Sequence, residues 1–305
     1  MKITNVHNLP TVFENFDKAH AYSNGGSKYS ATTLIDSPQV SRLRSRHYSS
    51  LEEDVSDQVW SILGTAVHAI LESGAERDQV VEERFFSEVM CVDEMRTNAS
   101  APFHRTVEVS GQVDLQTPTP EGMILSDYKT TRAYTVQAAK DGKPEWTKQL
   151  NIYAALARRN GVKVAGLEVI AILRDWSKAG LDRSPDYPAS PVVRVPVEMW
   201  SEETAETFLV ECVRRHEGGY SPCSFEEMWA RPPVFAFHEL AKSGQLRKRA
   251  TRLFDNRTDA ENASLDSPGS QVIERPRIFT RCEGNYCNVA RFCDQFAELK
   301  KGSSE

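Results

Sequence analysis

Val107, Val109, Val113 and Leu115 alternate with polar residues, then comes Thr117-Pro118-Thr119-Pro120-Glu121-Gly122, then Met123, Ile124, Leu125 and Tyr128. An apolar two-residue period broken by a proline- and glycine-bearing turn cluster dictates a β-hairpin. With the turn centred on Pro120 and Glu121, Asp114 is expected roughly opposite Asp127. Side chains of directly opposed strand residues lie about 5 Å apart. Two carboxylates at that distance repel each other unless a cation sits between them. Oxygen donors of this kind suit Mg²⁺ or Mn²⁺. The strand period places Asp127 and Lys129 on one face and Tyr128 on the other. The Tyr128 backbone carbonyl is a further candidate ligand. Such a site is the minimum equipment for cutting a phosphodiester. The plain alternative is a surface hairpin with a solvated charged face.

Helical stretches flank the hairpin. Trp60 to Glu72 has helical periodicity, with Gly64, His68 and Glu72 four apart on one face. Gly64 costs this helix about 1 kcal/mol relative to alanine, which makes sense if something approaches it closely. His68 is a candidate metal ligand, with Glu72 a further acid or an orienting partner. The alternative is a partly buried histidine satisfied by its own i+4 carboxylate. Glu145 to Ala157 is also helical, and Gln149 and Tyr153 share a face there. An amide and a phenol so placed can hold a phosphate or position the lysine. The competing reading has Tyr153 in the core and Gln149 exposed.

Of six cysteines, Cys282, Cys287 and Cys293 form a Cys-x₄-Cys-x₅-Cys run. Three thiolates in one turn-and-helix unit call for a fourth to complete a tetrahedral or cubane site. Cys223, in the turn-like Ser221-Pro222-Cys223, is the best fourth donor. Cys91 and Cys212 read as lone thiols. No apolar run approaches a membrane span. The first residues show no signal peptide, so a cytoplasmic setting is expected, that of an infected host for a viral protein. Disulfides are not expected there.

The chain of 305 residues carries a net charge of −6, which argues against indiscriminate coating of nucleic acid. The charge is uneven: residues 231 to 305 hold 13 Lys and Arg against 10 Asp and Glu. Lys242 to Arg252 is a basic stretch able to track a phosphate backbone, or else a solvated face. Residues 1–50 read as a helical and loop extension with one helix near Ala31 to Leu43. Residues 51–200 hold the motifs, with strands at Val164 to Asp175 and Val192 to Val197. Residues 201–305 read as a helical region closing on the cysteines, with a polar, mobile Asp255 to Ser270.

Gly-x₃-His-x₃-Glu, Gly-x-x-Asp, Asp-x-Lys and Gln-x₃-Tyr, in that order, resemble the PD-(D/E)XK nuclease superfamily. The similarity is to its RecB-like exonuclease branch, including bacteriophage exonucleases and CRISPR adaptation nucleases. The resemblance covers about residues 30 to 175, with an echo at the C-terminus. It implies an α/β, restriction-endonuclease-like core: a central mixed β-sheet flanked by helices, with helical N- and C-terminal elaborations. His68, Asp114, Asp127 and Tyr128 then hold Mg²⁺ or Mn²⁺. Asp114, Asp127 and Lys129 are catalytic, with Gln149 and Tyr153 on the helical motif. The family more often has Glu where Asp127 stands. The implied activity is metal-dependent DNA exonuclease action in recombination, repair or phage DNA processing, with an annealing protein or helicase as partner. A structure- or sequence-specific endonuclease and a non-catalytic nucleic-acid-binding protein are the alternatives. The branch also implies a [4Fe–4S] cluster on Cys223, Cys282, Cys287 and Cys293, with Zn²⁺ as the alternative. There the distant cysteine precedes a proline near the N-terminus, where this chain has Ser37-Pro38.

Overall fold

The computed structural model describes residues 1–19, 23–93, 103–138, 143–182 and 184–302. The chain separates into two compact units. The first comprises Met1–Asp36 and Glu52–Ser221, the second Ser37–Leu51 and Pro222–Glu305.

The first unit is built on a six-stranded mixed sheet flanked by helices, the restriction-endonuclease-like α/β arrangement. Its hairpin forms as expected. Phe103–Thr119 pairs antiparallel with Gly122–Thr131, and the Thr119/Gly122 pair closes a two-residue turn at Pro120 and Glu121. Gly122 has φ +143°, and a Cβ there would sit 2.5 Å from the Lys163 carbonyl oxygen, so only glycine fits. The helix Pro144–Arg159 then carries the chain across to Val164–Leu173, parallel to the second hairpin strand. Parallel neighbours need such a crossover. Val192–Val197 adds antiparallel beyond it.

Val80–Asp93 runs antiparallel along the first hairpin strand. Its apolar alternation is masked by Glu82, Glu83, Arg84 and Glu88, so the sequence pattern does not announce it. Tyr29–Ser30 pairs parallel with Val109 and Ser110 on the other side of the same strand.

The crossover helix is the centre of the core. Leu150, Ile152, Ala154, Leu156 and Ala157 are fully buried. Each large apolar side chain so buried contributes roughly 1.5–3 kcal/mol. The sheet approaches this helix closely at Gly111, where a Cβ would lie 2.8 Å from Tyr153 Cδ1 and 2.9 Å from Leu156 Cδ1.

The helix expected near Ala31 to Leu43 is two helices, Ala31–Ile35 and Pro38–Arg46. Pro38 opens the second because its missing N–H and fixed φ suit the first helical turn only. Ser37 caps it, accepting a hydrogen bond from Gln39 N.

In the second unit, Val234–His238 lies between Arg252–Phe254 and Gln271–Arg275 in an antiparallel sheet. Phe237, Phe254 and Ala260 form its core. The Asp255 to Ser270 stretch, expected to be mobile, contains the helix Arg257–Leu265. Asn256 caps it by accepting from Asp259 N, and the buried Ala260 anchors it. No described helix is long and apolar enough to cross a membrane.

Candidate active site

The hairpin ladder is regular from Thr119/Gly122 to Leu115/Ser126 and then opens at Asp114 and Asp127. There the Tyr128 backbone N–H donates to the Asp114 side chain, Oδ2, at 2.7 Å. Asp114 is thereby turned into a pocket and fixed. Asp127, only 2% exposed, stands beside it. Gln149 Nε2 donates to Asp127 Oδ1 at 3.1 Å and to Tyr153 Oη at 2.7 Å. Both helix residues are buried, so the reading with Gln149 exposed does not hold. Lys129 Nζ forms an ion pair with Asp127 Oδ2 at 2.6 Å. Apart from that ammonium, no donor reaches this buried oxygen. It is a carboxylate atom with lone pairs left for a cation.

His68 comes from the helix Val59–Glu72 and lies edge-on to Tyr128, ring centroids 5.7 Å apart. Its Nδ1 is 3.5 Å from Asp114 Oδ1 and 3.5 Å from Glu82 Oε1. Glu82 takes the place expected for Glu72, which is exposed and does not line the pocket. Four residues along a helix share a face, but His68 sits at the rim, and one turn further on the helix has passed the pocket. The ligand atoms of His68, Glu82 and Asp114 lie within 4.8 Å of one another. Glu82 pairs across the sheet towards Asp114, between the Val81/Leu115 and Glu83/Val113 pairs. Its φ is +51°, a left-handed conformation that costs a non-glycine residue about 1–2 kcal/mol. Strain of this kind concentrates at functional sites. The signal for Glu82 in the sequence is faint: one acid among several in a strand with no clean period.

These groups line a pocket of about 520 Å³, together with Ser23, Ser30, Thr32, Ser61, Gly64 and Arg84. Nothing lies within 4 Å of a Cβ built at Gly64, so that helix face opens onto free space.

The electrostatics follow from crowding acids in a dry place. Burial, and then the neighbouring Asp127 charge, push the Asp114 carboxyl up to about 7. The Glu82 hydrogen bond raises the His68 pKa against the opposing effect of burial. Burial likewise opposes charge on Lys129, but Asp127 outweighs it and the ammonium is favoured. A divalent cation is the natural counter-charge for this set. Three carboxylates, one of them with a buried oxygen, and one imidazole fit Mg²⁺ or Mn²⁺.

In the second unit, Cys223, Cys282, Cys287 and Cys293 line one pocket with Gln39, Leu43, Met228 and Val289. Ser37 Oγ lies 3.1 Å from Cys223 Sγ. Burial, and then the other three sulfurs, push the Cys282 thiol up to about 12. Cys91 and Cys212 are buried apart from these, in the core of the first unit.

A family model described as the PD-(D/E)XK nuclease superfamily matches residues 75–294. No curated protein matches the chain. Among solved structures, one described as "Crystal structure of SSO0001" aligns at 17% identity and a TM-score of 0.44. It covers 72% of this chain and 90% of the other.

Proposed function

The chain belongs to the PD-(D/E)XK nuclease superfamily, and on that premise we propose that it is a Mg²⁺- or Mn²⁺-dependent exonuclease that hydrolyses DNA from an end. The superfamily carries metal-dependent nuclease chemistry. The assignment to the RecB-like branch, and with it to recombination, repair or phage DNA processing, rests on the order of the motifs.

Asp114, Asp127, Glu82, His68 and the Tyr128 carbonyl are the metal-holding groups. The bound metal supplies a water of lowered pKa and stabilises charge on the phosphate. Gln149 fixes one Asp127 oxygen and leaves the other facing Lys129, with Tyr153 holding the Gln149 amide in place. Lys129 keeps its ammonium form beside the reacting phosphate and neutralises the oxyanion as it develops. Its raised pKa favours that role over removing a proton from the water.

The observation that carries the exonuclease reading is the position of Arg84. Arg84 faces Gln112 across the strands, one two-residue step from the Glu82 and Asp114 level, roughly 6.8 Å along the sheet. It donates to Ser110 Oγ at 3.2 Å, to the Ser23 carbonyl oxygen at 2.9 Å and to Gln112 Oε1. All three acceptors are neutral. The Ser23 to Ser27 turn packs over Arg84, with Asn24 O accepting from Ser110 Oγ at 2.7 Å. A guanidinium whose hydrogen bonds all go to neutral oxygens, lining the pocket beside the metal-holding groups, suits the phosphate at a strand end. The test is digestion of end-labelled linear DNA against covalently closed circular DNA in Mg²⁺. Linear DNA is degraded from its ends and circular DNA survives. Equal attack on circular DNA replaces this reading with an endonuclease, and metal binding without cleavage of either replaces it with a non-catalytic binder.

We also propose that Cys223, Cys282, Cys287 and Cys293 hold a [4Fe–4S] cluster. Four thiols are the donor set such a cluster takes. Cys223 stands against Ser37 and so supplies the sulfur at the place where the resembling nucleases have their N-terminal cysteine. The cluster's role is to tie the second unit together. Anaerobically purified protein is expected to be brown and to lose its visible absorbance in Cys287→Ser. A colourless protein with one zinc per chain overturns the assignment.

A further inference from the structure

Residues 240–254, Leu240 to Phe254, contain Lys242, Arg247, Lys248, Arg249 and Arg252 and no Asp or Glu. The whole chain has 43 acids against 37 Lys and Arg, so this stretch runs against the charge of the molecule. All five cations are exposed. None has a carboxylate in ion-pair reach among the described residues; the nearby ion pairs belong to Arg257, with Glu261 and Glu274.

The segment is not a loose tail. It connects the strands Val234–His238 and Arg252–Phe254, and its backbone is tied at several points. Ala241 N donates to Gln245 O at 2.7 Å, Arg247 N to Glu239 O at 2.9 Å and Thr251 N to Phe237 O at 2.8 Å. His238 Nδ1 meets the Arg247 carbonyl oxygen at 2.7 Å, and Leu240 bridges Leu246. Gly244, at φ +76°, makes the turn at the tip. Arg252 lies over the Phe254 ring at 4.6 Å. The small sheet beneath, with its core of Phe237, Phe254 and Ala260, lines neither the metal-holding pocket nor the thiol pocket. An ordered platform that presents five cations without carboxylate partners has one evident physical use.

We propose that this loop is a sequence-independent binding surface for the phosphate backbone of DNA, separate from the catalytic pocket. Lys242, Arg247, Lys248 and Arg249 bind phosphates, and the released counterions drive the binding. The surface lets a net-acidic protein hold a polyanion that the rest of its surface repels. It rests on the reading that the substrate is a polynucleotide.

The test uses the full chain without divalent metal, so that nothing is cut. Affinity for a labelled duplex is measured over a range of salt concentrations, for the unaltered protein and for Lys242→Ala/Arg247→Ala/Lys248→Ala/Arg249→Ala. The slope of log affinity against log salt is expected to shrink by about 0.9 for each phosphate no longer neutralised, hence by about 2 to 4 in all. Exchanging Arg247 and Arg249 for Lys keeps the slope, which separates charge from fold. Hydrolysis of bis-p-nitrophenyl phosphate in Mn²⁺ is unchanged by the fourfold substitution. An unchanged slope overturns the proposal and leaves the nuclease reading intact. A shifted slope in a protein that cuts no DNA does the reverse. Displacement of duplex by polyglutamate as efficient as by unlabelled duplex also overturns it, in favour of an acidic protein partner.

Discussion

At the scale of single residues, the site is a set of carboxylates that the fold holds closer together than water would allow. Each has one oxygen engaged by a protein donor: Asp114 by the Tyr128 N–H and Asp127 by Gln149. Lys129→Ala is expected to lower Mg²⁺-dependent cleavage by about 10²- to 10⁴-fold while leaving the melting temperature nearly unchanged. Glu82→Gln is expected to raise the Mg²⁺ concentration needed for half-maximal cleavage by about 10- to 100-fold, read from a metal titration. Asp114 makes a pH prediction. Its carboxyl is pushed up to about 7 in the fold, against an ordinary value of 3.8. Between those two values the folded state binds more protons than the unfolded state, so stability falls as pH rises. In EDTA the unaltered protein is expected to lose melting temperature from pH 4 to 7 relative to Asp114→Asn. The difference is on the order of 4 kcal/mol at most. Mg²⁺ at neutral pH should remove it. Parallel melting curves for the two proteins would disprove the crowding of charge.

At the scale of elements, the hairpin was legible because every local signal agreed: alternation, turn residues and the expected Asp114/Asp127 register. The crossover helix was legible for the same reason. The strand Val80–Asp93 was not, since its charged residues face a partner strand that a local window does not contain. The split of the helix near Ser37 is written in Pro38, but the apolar positions on either side of it mask the break. Gly111 belongs at this scale. Its missing side chain lets the strand that carries Asp114 meet the helix that carries Gln149. Gly111→Ala is expected to cost about 1–3 kcal/mol, measured by thermal or denaturant unfolding, because Tyr153 and Leu156 must yield. Cleavage is expected to fall along with it, since the Gln149 hydrogen bond to Asp127 shifts.

At the scale of the whole molecule, the carboxylate pocket belongs to the first unit and the thiol pocket to the second. Cys293→Ser is expected to loosen the second unit while the sheet of the first persists. Hydrogen exchange should then rise in Pro222–Glu305 and remain slow in Val164–Leu173. Equal loosening of both would contradict a local role for the thiols. By itself the sequence determined the hairpin, the crossover helix, the pairing of Asp114 with Asp127 and Lys129, and the grouping of three cysteines. Each depends on interactions within a short span of chain, where periodicity and turn chemistry are decisive. Tertiary structure alone decided that Glu82 rather than Glu72 joins the acidic set, that Arg84 lines the same pocket, and that Cys223 lies against Ser37. Those placements depend on which strands pair and which segments return to one another, and that choice is made by burial of the whole core and not by any local pattern.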